Sequence, residues 1–198
     1  AAQEHQDAIV DSFLSLVNDN DMGVRVEVAQ QAATLVGAAQ EHQDVIVDSF
    51  LSLMKDKDWG VRQAFVRNAC ALVEDVQDRK EEIVDGFLSM VKDEDWQVRQ
   101  AVVQQTAVLL ASTQGHQDTI VDSFLSMVKD EDWHIRQAIA RHATALVEAT
   151  EGCEDSIITG FLSLVNDKNW YVRQAVAQHS ANLVRAAHGR KEIGRAHV

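Results

Sequence analysis

Apolar residues recur at helical spacing, in paired segments, along the whole chain. Between Asp44 and Lys55 they fall at Ile46, Val47, Phe50, Leu51 and Met54, leaving Asp48, Ser49 and Ser52 outside the stripe. That i, i+1, i+4, i+5, i+8 order makes one broad apolar face on a helix. A second stripe, Val61, Ala64, Phe65, Ala69, Leu72 and Val73, predicts a helix from Trp59 to about Asp75. Asp56-Lys57-Asp58 turns the chain between the two, and Asp58 stands where an N-cap belongs, as do Asp95, Asp132 and Asn169 further on. The first helix of each pair is termed A and the second B.

The pair repeats. Phe13, Phe50, Phe87, Phe124 and Phe161 hold one position of helix A, and Arg25, Arg62, Arg99, Arg136 and Arg173 hold one position of helix B, so the period is 37 residues. A period of this size marks a solenoid, in which no unit buries both of its faces alone and neighbours must stack. The reading is a single array over residues 1–192, with units at approximately 6–42, 43–79, 80–116, 117–153 and 154–190. A locally basic tail, 193–198, follows, either frayed or foreign to the array. Ala1 to Asp7 repeat as Ala38 to Asp44, which makes the start of the chain look like a joint between units. Gly115, Gly152 and Gly189 share a position where a helix C-terminus favours left-handed glycine. Terminal units carry polar changes, Glu27 at one end and Ser180, Asn182 and Arg185 at the other, as capping repeats do.

Composition narrows the class. Proline is absent, so little interrupts the helices. Thirty-one acidic against 18 basic residues give a net charge of −13, which repels nucleic acid and favours a neutral or basic protein partner. Cys70 and Cys153 occupy non-equivalent positions, unlike a disulfide framework, and point to a reducing, cytoplasmic setting. No apolar run spans a membrane and no leader is visible.

Each turn carries Asp, with Val-Arg or Ile-Arg five and six residues later: Asp19/Val24/Arg25, Asp56/Val61/Arg62, Asp93/Val98/Arg99, Asp130/Ile135/Arg136 and Asp167/Val172/Arg173. This motif, on paired helices, resembles the HEAT-repeat family over nearly the whole chain. The likeness is to its proline-poor, HEAT-like branch, since the proline that kinks many A helices is missing. The resemblance implies an all-α, right-handed α-solenoid of five helix pairs, with B helices on the concave side. It further implies a structural ladder in which each turn Asp pairs with arginines of its own and adjacent units.

Four classes of residue are candidates for function. The Asp–Arg ladder recurs in every unit and so cannot single out one partner; it reads as structural. Trp59, Trp96, Trp133 and Trp170 share one position and are expected to pack into the core. The outward stripe of helix B carries the differences between units: Gln63 and Arg67; Gln97, Gln100 and Gln104; His134, Gln137 and Arg141; Tyr171, Gln174 and Gln178. This stripe is the expected partner-binding surface. His142 and His179 fall on adjacent B helices as a half-buried polar pair with no third ligand, and no metal or other cofactor is expected.

No P-loop, nucleophile elbow or dinucleotide fingerprint is present. The sequence therefore reads as a non-catalytic scaffold that binds a peptide or protein along the B helices, as a monomer or with weak self-association through the array ends. Three alternatives stay open: a HEAT-like lyase or hydroxylase, although the chain has no His-Glu dipeptide; a nucleic-acid-binding HEAT-like protein; and a duplicated or engineered repeat without a partner.

Overall fold

The computed structural model describes residues 2–76, 78–113 and 115–196, with side chains at the two ends described from Glu4 to Gly189. The described residues are all-α. Five helix pairs follow one another: α1 (Ala2–Ser15) and α2 (Met22–Ala38), α3 (Gln43–Ser52) and α4 (Trp59–Asp75), α5 (Lys80–Ser89) and α6 (Trp96–Ser112), α7 (Gln117–Ser126) and α8 (Trp133–Ala149), α9 (Glu154–Ser163) and α10 (Trp170–Ala196). Helix α4 has the bounds its apolar stripe predicts. The A helices are shorter than expected because their last turn tightens into a 3₁₀ segment, such as Leu53–Lys55, before the turn Asp.

Contacts group the chain into residues 1–102 and 103–198, a division that falls within α6. In the first group α2 packs on α4, and α3 and α5 pack on α2 and α4 respectively. Phe50 of α3 meets Phe65 of α4 with ring centroids 4.8 Å apart, and both rings are buried. In the second group α8 packs on α10 and on α9, and α9 also meets α7. The predicted inward stripe of α4, from Val61 to Val73, is buried throughout. Val66 and Cys70, outside that stripe, are buried too, so the helix hides a second side.

Joint glycines behave differently along the chain. Gly115 and Gly152 have φ of 89° and 85°, a region open to glycine and costly for other residues. Gly189, expected to end its helix in the same way, lies inside α10, which runs on to Ala196. Arg190, Lys191 and Glu192 are good helix formers, and no proline follows to stop the helix. Residues 197 and 198 of the expected tail lie outside the described residues.

Candidate functional site

The turn between A and B is built by its two acids. Asp56 accepts the N–H of Asp58 at 2.8 Å, and Asp58 accepts the N–H of Gly60 at 2.8 Å, capping α4. The same two bonds recur at Asp19/Asp21, Asp93/Asp95, Asp130/Asp132 and Asp167/Asn169. At Asp56, Asp93 and Asp167 the carboxylate also meets an incoming cation.

That cation is the arginine of the preceding unit. Arg25 donates from Nε and Nη2 to Asp56 at 2.6 and 2.9 Å, Arg62 to Asp93 at 2.7 and 2.9 Å, and Arg136 to Asp167 at 2.6 and 3.1 Å. The remaining arm donates to a backbone carbonyl of its own turn, Asp19 O, Asp56 O and Asp130 O respectively. The family resemblance implied pairing with side chains of both the same and the adjacent unit. The geometry separates the two roles: carboxylates bind the preceding unit's arginine, and each arginine clamps its own turn through the backbone. Arg99 clamps Asp93 O and Glu94 O in this way, and the exposed Arg173 clamps Asp167 O and Lys168 O. Hydrogen bonds to aspartate raise the pKa of Arg25, Arg62 and Arg136. Asp167 is held below its usual range first by its Arg136 hydrogen bond, whereas at Asp56 burial raises the pKa and Arg25 together with the Asp58 N–H outweighs it.

The outward stripe divides on inspection. Arg67, Arg141, Tyr171, Gln174 and Gln178 are exposed, and Gln63, Gln97, Gln100, Gln104 and His134 are partly exposed. Gln137 is buried at 8% exposure, contrary to its expected place on the binding surface. Its amide donates to the Tyr171 carbonyl at 3.4 Å, and Gln63 donates to the Gln97 carbonyl at 3.1 Å. These two glutamines tie the start of one B helix to the start of the next. Gln104 and Arg141, at a position that differs between units, have no such bond among the described contacts.

The tryptophans correct a second expectation. They do not form the core: Trp59 is 39% and Trp170 52% exposed. Trp133 stacks on His134 with centroids 3.7 Å apart and on Tyr171 at 4.9 Å and 18°, while Tyr171 meets Trp170 at 3.7 Å. The signal was in the sequence. At 3.6 residues per turn, Trp59 lies about 200° around α4 from Val61, well away from the apolar stripe.

The joints hold a set of contacts that sequence reasoning missed. His42 Nε2 lies 3.0 Å from Asp7 Oδ1, Arg79 Nη2 lies 2.7 Å from Asp48 Oδ1, and Cys153 Sγ lies 3.5 Å from Asp118 Oδ1. His42, Arg79 and Cys153 are equivalent, and each of these three reaches back to an acid of the previous A helix; the repeated heptad at the chain's start was the clue. With Glu41, Asp7 and His42 bring three metal-ligating groups within 4.8 Å of one another, two of them partly exposed and one exposed. Burial lowers the pKa of His142, and the charges of His179 and Arg141 lower it further, favouring a neutral ring.

No helix among the described residues is long and apolar enough to cross a membrane. A profile of HEAT repeats matches residues 84–178. Among solved structures, the MAST/Orbit N-terminal domain superposes with a TM-score of 0.59 at 15% identity, over 92% of this chain and 87% of that one. A crystal structure of an engineered protein gives 0.55 at 15% identity, over 93% and 86%. A designed armadillo repeat protein in complex with the peptide (KR)4 gives 0.51 at 13% identity, over 92% and 87%. At such identities the likeness is one of fold. Curated protein sequences give no match. The matched profile makes residues 84–178 similar to HEAT repeats, and the helical-repeat fold and the turn Asp with its Val–Arg partner extend that likeness to the other helix pairs.

Proposed function

We propose that the chain is a non-catalytic scaffold that docks a peptide or protein segment along the outward stripe of its B helices. The observation that carries the reading is the contrast within helix B. Its recurring polar residues, Arg62, Arg136, Gln63 and Gln137, bond neighbouring turns, whereas the differing ones, Arg67, Gln104, Arg141 and Gln178, stay accessible. Accessible, unit-specific side chains on a rigid repeat are what a modular recognition surface requires.

The preferred partner is neutral or basic. A net charge of −13 attracts cationic segments and raises their association rate. The structural neighbour in complex with (KR)4 supports the same direction. Cys70 and Cys153 form no disulfide, which suits a reducing, cytoplasmic setting.

Selection of a displayed peptide library on the immobilised chain tests this. Enrichment of Lys- and Arg-rich sequences is expected, with binding that weakens as salt rises. Enrichment of acidic sequences, or none at all, would refute it.

A further inference from the structure

The aromatic run at the start of α8 and α10 stands outside the core, and two of its rings, His134 and Tyr171, lie on the proposed stripe. We propose that this run seats the guanidinium of an arginine side chain supplied by the basic partner, an assignment that rests on the docking reading above. Four rings lie in sequence: His134 on Trp133, Trp133 on Tyr171, and Tyr171 beside Trp170. A stack formed for packing alone would be buried. This one leaves Trp170 52% and Tyr171 39% exposed, with Trp133 and His134 partly so.

Two features select the occupant. Ring faces carry negative quadrupole density and attract cations, tryptophan most of all. The surrounding charge has the matching sign: Asp130-Glu131-Asp132 leads directly into Trp133, Glu131 is exposed, and Asp132 Oδ1 lies 2.8 Å from His134 Nδ1. Arginine fits better than lysine because its plane lies flat on a ring while its N–H groups reach sideways to carboxylates. A nucleic-acid base would also stack there, but its phosphates would meet those acids. Lys168, exposed beside Trp170, is the local cation that works against the seat. The corresponding positions before Val24 and Val61 are Gly23 and Gly60, so those units lack the second ring and the site is confined to the α8–α10 end.

Titration of the whole chain with hexa-arginine and with hexalysine, at fixed moderate salt and followed by calorimetry and tryptophan fluorescence, tests the seat. Hexa-arginine is expected to bind more tightly, and W170A or Y171A to weaken it about 5-fold, within the range of an exposed cation–π contact. Hexalysine should change little between these proteins, Y171F should keep wild-type affinity, K168E should tighten hexa-arginine, and circular dichroism should stay constant. Equal hexa-arginine affinity for wild type, W170A and Y171A overturns the seat and leaves the docking reading standing. Failure of both peptides to bind overturns the two together. A thymidine oligonucleotide that binds in a Trp170-dependent way overturns the assignment in favour of a base.

Discussion

Arg62 and Asp93, 31 residues apart, form a two-pronged ion pair at 2.7 and 2.9 Å, with side chains only 8% and 5% exposed. Breaking a buried pair leaves a charge without its partner, at a cost of about 3–5 kcal/mol. Asp93→Ala is expected to lose that much in urea unfolding. Arg173→Ala, at the exposed end of the series, should lose at most about 1 kcal/mol. Equal losses at the two positions would mean that the pairing between units contributes little.

The ladder also sets an acid limit. Asp167 has a depressed folded pKa, first through its Arg136 hydrogen bond; at Asp56 the raising effect of burial is exceeded by Arg25 and the Asp58 N–H together. A carboxyl with a lowered folded pKa contributes stability above its unfolded value of about 3.9, and that contribution disappears as pH falls from there through the folded value. The D56N/D167N variant should therefore be less stable than wild type at pH 7. Its stability should fall less steeply below about pH 4. Parallel pH curves for the two proteins would remove the aspartates as the cause.

Phenylalanine keeps the core place its stripe predicts, whereas tryptophan does not. Phe65→Ala should cost about 3–5 kcal/mol, because its ring is fully buried against Phe50. Trp59→Ala should cost about 1 kcal/mol or less, since the side chain is 39% exposed. Thermal unfolding of the two variants decides it, and a larger loss at Trp59 would return that residue to the core.

What the sequence made legible was local and periodic. The bounds of α4, the Asp58 cap and the spacing of the Arg–Asp rungs all follow from one turn and its 37-residue repeat. What it hid depends on neighbours. Gln137 sits on a stripe that looks outward on an isolated helix, yet the adjacent α10 brings the Tyr171 carbonyl to it and buries it. The Trp positions misled for another reason: regular recurrence suggests core, but a ring in the first turn of a helix can project past the apolar stripe. Only the angle around the helix separates these readings.

Thr144 is a polar misfit. Its hydroxyl oxygen is buried without a hydrogen-bond partner, at a position where Cys70 and Ala107 stand in other units. An unsatisfied buried polar group costs about 1–3 kcal/mol. Thr144→Val should therefore raise stability, by up to about 1 kcal/mol once the small change in helix propensity is included. A lower melting temperature for this variant would show that the hydroxyl is satisfied in solution.

The stripe itself is tested by removing two side chains that bond to no neighbouring turn. A library-selected basic peptide should bind wild type measurably in calorimetry and fail to bind Q104A/R141A, while the variant keeps its helical circular dichroism and its melting temperature. Undiminished binding by that folded variant would contradict the assignment of the B-helix stripe as the docking surface.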